Sequence, residues 1–127
     1  MSNIVFDASA AIAVINDEIG SNIVIDHLKH SVISTVNFSE SVAILNRANI
    51  SITEARDILK DLFSEIVLFD EDQACLAAEF KIASKKYGLS LGDCACLALA
   101  KLRNLAVVTA DRAWTELNFG IKIILIR

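Results

Sequence analysis

The chain has 127 residues, 54 % of them apolar and 22 % charged, with Gly at 4 and Pro at 0; this excludes disordered, collagen-like and linker-rich chains and leaves room for one domain with a closed core. Its 12 basic and 16 acidic residues give a formal charge of -4. That excludes a basic module that coats nucleic acid or an anionic membrane, though not an enzyme that meets phosphates through bound cations.

Ile4 to Phe6 is short, apolar and partly β-branched, a first strand that stops at Asp7. A compact helix is expected over Ser9 to Ile15, broken by Asn16-Asp17-Glu18 and Gly20; Ile23, Val24, Ile25 and Leu28 then give a helix ending near His30. Ser31 to Thr35 makes a second strand. Phe38, Val42 and Leu45 recur at helical spacing from Asn37 onward, and Ser51-Ile52-Thr53-Glu54 has the form of a capping box opening another helix with Ala55, Ile58, Leu59 and Leu62 inside. Glu65 to Phe69 is a third strand closed by Asp70, and Glu71 to Tyr87 a long helix with Gly88 as its C-terminal cap. Ser90 to Asp93 begins a helix whose body, Cys94 to Leu102, is apolar nearly all round. A strand at Ala106 to Val108, a short helix at Asp111 to Leu117 and a strand at Lys122 to Ile126 complete the chain. Short apolar strands separated by helices predict an α/β domain over 1–127, with a central, mainly parallel sheet of about five strands covered by helices on both faces.

No apolar run reaches the roughly 20 residues of a membrane span, and the first residues carry neither a basic region nor a cleavage motif. The expectation is a cytoplasmic chain without membrane association. Cys75, Cys94 and Cys96 are odd in number, sit in apolar surroundings and have only His27 and His30 for company, so reduced core cysteines are expected rather than disulfides or zinc ligands.

In a parallel sheet the ligand crevice lies outside the carboxyl ends of the strands. Asp7 and Asp111 follow strands, Glu40 follows one by about a turn, and Asp93 opens the buried helix. Each also has a local explanation. Glu40 lies three residues after Asn37 and Asp93 three after Ser90, both at capping-box spacing, and Asp111 is placed to cap the Trp114 helix. Capping explains Asp7 less well. Asp70 also ends a strand and stands at cap spacing from Gln73, so edge position alone does not choose among the five acids. Facing carboxylates share a proton or demand a cation, and oxygen ligands without Cys or His select Mg²⁺ or Mn²⁺. Two such ions about 4 Å apart serve phosphoryl transfer, and a pair of divalent charges would cancel the formal -4.

Four segments, Val5-Phe6-Asp7-Ala8-Ser9, Asn37-Phe38-Ser39-Glu40, Leu89-Ser90-Leu91-Gly92-Asp93-Cys94 and Val108-Thr109-Ala110-Asp111-Arg112-Ala113-Trp114, together resemble the PIN-domain ribonucleases, especially VapC-type toxins of toxin-antitoxin pairs. The resemblance covers essentially the whole chain. It implies a PIN-like fold in which Asp7, Glu40, Asp93 and Asp111 are the catalytic, metal-binding acids, with Thr109 and Ser9 supporting the pocket. It also implies a Mg²⁺- or Mn²⁺-dependent endoribonuclease that leaves a 3′-hydroxyl and a 5′-phosphate, forms a homodimer and is inhibited by a cognate antitoxin. Asp70 is not among the positions so implied. Some relatives carry a further acid where this chain has Ala113, which leaves the number of ions open. Arg112, beside Asp111, is the leading candidate for an RNA phosphate contact. The alternative is a catalytically weak PIN-like interaction module acting through partner binding.

Overall fold

The short apolar runs become five parallel strands in the computed structural model, which describes residues 3–18, 20, 22 and 25–126. The strands are β1 (Ile4–Phe6), β2 (Ser31–Ser34), β3 (Glu65–Val67), β4 (Ala106–Thr109) and β5 (Ile123–Leu125), in the spatial order β3-β2-β1-β4-β5. Register sets Val5 between Val32 and Val107, Ile33 beside Ile66, and Val108 beside Ile124. With every pair parallel, all carboxyl ends share one edge. The chain steps from β1 to β2 and β3, then returns to the other side of β1 for β4 and β5, so the direction of winding reverses at β1.

The helices are α1 (Ala8–Ile15), α2 (Thr35–Arg47), α3 (Ile52–Leu62), α4 (Glu71–Ala83) and α5 (Leu91–Arg103), with 3-10 turns at Ile25–His30, Lys85–Tyr87 and Arg112–Glu116. Successive strand residues face opposite layers. Ile4, Phe6, Ile33 and Val108 pack with Ala10 to Ala13 of α1, Leu45 of α2, Ala55 and Leu59 of α3, and Phe63. Val5, Val32, Val67 and Val107 pack on the other side with Ala77 and Phe80 of α4, Cys94 and Cys96 to Ala100 of α5, and Trp114. The expected α/β domain with helices on both faces is what the structure shows. Most of the body of α5 is buried because it lies against the sheet and α4 together.

Boundaries differ where caps decide them. Ser34 caps α2 through Val36 N–H, so this helix begins two residues before Asn37 and the Asn37–Glu40 pair lies inside it instead of forming a capping box. Thr35 therefore belongs to the helix and not to β2. The third strand stops at Val67, because Leu68 to Asp70 turn away to start α4, whose N-cap Asp70 accepts from Gln73 N–H. The long helix expected to Tyr87 ends at Ala83; a 3-10 turn follows, and Gly88 closes it in the left-handed region at φ 61°. The expected helix ending near His30 is a 3-10 turn over its described part, while Ile23 and Val24 lie outside the described residues. Cys94 and Cys96 are buried free thiols as expected, but Cys75 is exposed, since it lies on the outer face of α4. Among the described residues no helix is long and apolar enough to cross a membrane.

Candidate metal centre at the carboxyl edge

The passage from β1 to α1 takes one residue, Asp7, whose backbone is extended and whose side chain caps the helix by accepting from Ala10 N–H at 2.8 Å. Asp7 thus has the local capping role that its sequence context did not suggest. Capping does not account for the rest of its surroundings. Only 5 % of the residue is exposed, and its two oxygens also accept from Ser9 Oγ at 2.7 and 2.9 Å and from Thr109 Oγ1 at 2.6 Å. Both hydroxyls are themselves held from behind. Ser9 Oγ accepts from Ala110 N–H and Thr109 Oγ1 from Asp111 N–H, each at 3.0 Å. With a backbone N–H donating to each, these hydroxyls turn their protons to Asp7.

Burial drives the Asp7 pKa from 3.8 up to about 6; the bonds from Thr109, Ala10 and Ser9 pull it down, and the charge of Asp93 pushes it further up. Among the described residues no cation is one of the groups that set it. A carboxyl buried beside another acid, with no positive partner among the described residues, is a group that a metal ion would satisfy.

Glu40 is held from a second direction. Asn37, 1 % exposed, donates one Nδ2 hydrogen to Glu40 Oε1 at 2.9 Å and the other to Gly92 O at 3.0 Å, bridging α2 to the first turn of α5. Both partners are acceptors, which fixes the orientation of the amide. Its Oδ1 is then buried with no hydrogen-bond partner, an acceptor left open beside the acids. The Glu40 carboxylate lies against Gly92 so closely that a Cβ there would overlap it. Asn37 and Gly92 are the site residues that sequence reasoning missed. The available signal was their position in the two segments containing Glu40 and Asp93.

Asp93 completes the expected capping box, accepting from Ser90 N–H at 3.0 Å while Ser90 Oγ accepts from Asp93 N–H at 3.1 Å. Asp111 caps the 3-10 turn through Ala113 N–H at 3.0 Å and is exposed, as is its neighbour Arg112. Burial lifts the Cys96 thiol well above its ordinary range, and the charges of Asp7, Asp93 and Glu40 lift it further. Carboxylates from three separate elements therefore lie within electrostatic reach of one buried sulfur. Asp111 stands at the rim, beside the Asp7 network through Thr109. Asp70 is elsewhere, in a groove of the edge strand with Glu65, Gln73, Leu102 and Arg103.

Among the described residues no three His, Cys, Asp or Glu side chains are drawn close enough together to form a ready-made metal cage. Asp93 and Asp111 each commit one oxygen to a backbone amide. The donor set is nonetheless all oxygen, and oxygen donors suit a hard divalent ion instead of zinc.

A family model described as the PIN domain matches residues 4–120. A search of curated proteins finds no match. Among solved structures, a toxin-antitoxin complex from Klebsiella pneumoniae is 18 % identical, aligns over 98 % of each chain and has a TM-score of 0.75. DNA-bound VapBC from Salmonella typhimurium is 18 % identical over 100 % of each chain at 0.74. VapC20 of Mycobacterium tuberculosis, a toxin that cleaves the sarcin-ricin loop, is 16 % identical over 94 % of this chain and 99 % of its own at 0.75. At these identities the likeness is one of fold. The family model spans nearly all of the sequence, and the chain belongs to the PIN-domain family.

Proposed function

We propose that the chain is a Mg²⁺- or Mn²⁺-dependent endoribonuclease of the VapC toxin class, hydrolysing phosphodiester bonds in cellular RNA and silenced by a cognate antitoxin. The observation that carries the reading is that Asp7, Glu40 and Asp93 all lie within electrostatic reach of the one buried Cys96 sulfur, with Asp7 buried and no cation acting on it among the described residues. The neighbours include toxin-antitoxin complexes, which supports the antitoxin partner. A homodimer is supported by α3, which leaves Ile52 and Ile58 exposed while Leu59 and Phe63 turn into the core.

Asp7, Glu40, Asp93 and Asp111 would hold the metal, whose chemistry is to acidify water and neutralise charge on the phosphate. The chain's own groups do the positioning. Ser9, Thr109 and Ala10 N–H fix both oxygens of Asp7, so that it meets a cation without reorganising. Asn37 performs the same task for Glu40 and ties it to the turn that presents Asp93. Arg112 at the rim contributes positive charge toward an RNA phosphate. Ala113 offers no further carboxylate beside Asp111, so phosphate oxygens of the RNA would complete a second ion's shell.

The second reading, an interaction module with weak catalysis, is favoured by one observation: Asp93 and Asp111 are engaged in caps and no three-acid cage stands ready. Incubation of the purified chain with single-stranded RNA separates the two. The nuclease reading predicts cleavage with 5′-phosphate ends that saturates with Mn²⁺ and stops in EDTA. Tight antitoxin binding without cleavage at any Mn²⁺ concentration would establish the module instead.

A further inference from the structure

Beside the acids a cleft of about 610 Å³ opens between the N-termini of α2 and α5, lined by Val36, Ser39, Glu40, Phe69, Ser90 and Leu91. One end is the Glu40 carboxylate. The walls are apolar and unusually open to water: Leu91 is 58 % exposed although it lies two residues before Asp93, and Phe69 is half-buried. A large aliphatic side chain held in solvent at the mouth of an acidic site has no role in the core.

The Phe69 wall is fixed before anything binds. Phe69 N–H donates to Thr35 Oγ1 at 3.1 Å, and Gln73 Nε2 donates to the preceding Leu68 O at 3.0 Å, while Asp70 caps α4. The stretch from Leu68 to Asp70 is therefore pinned from both α2 and α4. Hydroxyls stand along the same cleft: Ser39 from α2 and Ser90, whose oxygen accepts from Asp93 N–H. An aromatic side chain, an aliphatic one and two hydroxyls lining one cleft match the chemistry of an unpaired nucleobase, which offers a π-face for stacking and a polar edge. An apolar peptide side chain would use the walls but offer no hydrogen bond to the Ser39 hydroxyl.

We propose that this cleft is a nucleobase subsite, in which a base adjoining the scissile phosphate stacks on Phe69 against Leu91. The proposal rests on the ribonuclease reading; a base held in a duplex cannot enter the cleft. Preorganised walls and a stacked base hold the neighbouring phosphate over the carboxylates.

The test measures binding, not turnover. A fluorescein-labelled short oligoadenylate and its fully abasic twin, which keeps every sugar and phosphate, are titrated with the full chain in Ca²⁺, and anisotropy is read. The wild type is expected to bind the oligoadenylate about tenfold more tightly than the abasic twin. Phe69→Leu, which keeps apolar bulk and so protects the fold, is expected to lose most of that difference with the abasic affinity unchanged. Equal wild-type affinity for the two probes, or a difference that survives in Phe69→Leu, would overturn the subsite. Cleavage of RNA alongside that result would leave the nuclease reading standing, whereas neither binding nor cleavage would remove both. Phe69-dependent binding of a short phenylalanine-containing peptide in place of RNA would reassign the cleft to a protein partner and likewise overturn the proposal.

Discussion

Replacing Asp7 by Asn removes a buried charge and keeps the helix cap. Folding raises this carboxyl from 3.8 to about 6, so between those values the folded chain binds more protons than the unfolded one. Stability from this group is full below pH 3.8, falls as pH rises through the window and is lost above about 6. At about 1.4 kcal/mol per unit, the ionised carboxylate disfavours the metal-free fold by about 3 kcal/mol at neutral pH. Asn forfeits part of this gain. Ser9 and Thr109 each already accept a backbone N–H and donate to Asp7, so an amide NH₂ facing either hydroxyl breaks that bond, a loss of about 1 kcal/mol. The metal-free variant should therefore exceed the wild type by about 2 kcal/mol near pH 7.5 and fall below it by about 1 kcal/mol near pH 3.5. Urea unfolding of both proteins in EDTA at the two pH values measures the crossover. A difference of the same sign and size at both would refute the claim that Asp7 is a destabilising buried charge awaiting a cation.

Other perturbations separate positioning from folding. Gly92→Ala places a methyl group in the Glu40 carboxylate while improving helix propensity, so stability should hold within about 1 kcal/mol as single-turnover RNA cleavage drops at least about tenfold. Asn37→Ala leaves Glu40 and Gly92 O without their buried donor and should lower unfolding free energy by about 1–3 kcal/mol in a urea titration. Arg112→Ala should reduce the slope of log affinity against log salt by about one for single-stranded RNA, measured by anisotropy; an unchanged slope would assign Arg112 to local structure.

The parallel sheet was legible because its strands are unbroken apolar runs such as Ile4-Val5-Phe6 and Ala106-Val107-Val108, each bounded by polar residues and helical patterns. Boundaries were less so. Ser34 outcompeted Asn37 as the cap of α2 through a local bond from Val36 N–H, and β3 surrendered Leu68 and Phe69 to the turn before α4, where Phe69 N–H bonds to Thr35 across 34 positions. The cap by Asp7 was hidden because α1 has Ala10 where a capping box would carry Glu or Gln, leaving only half of the usual signal. The acids themselves were visible at the carboxyl edge, yet the means of holding them was not. Asn37 bonds to Gly92 across 55 positions and Thr109 to Asp7 across 102, pairings that no local spacing encodes. Asp70 was a true ambiguity in sequence, and the fold resolves its position by placing it in the groove of the edge strand, with Glu65 and Arg103.

The measurement that tests the catalytic assignment most directly is single-turnover cleavage of single-stranded RNA across a Mn²⁺ titration by wild type, Asp93→Asn and Asp70→Asn, with circular dichroism confirming each fold. Asn at 93 still accepts the Ser90 N–H bond and Asn at 70 still caps α4, so both variants should fold. The account predicts that Asp70→Asn cleaves at a rate close to wild type and that Asp93→Asn loses at least about a hundredfold, with no recovery at high Mn²⁺. Wild-type cleavage by folded Asp93→Asn, or an equal loss in Asp70→Asn, would contradict it.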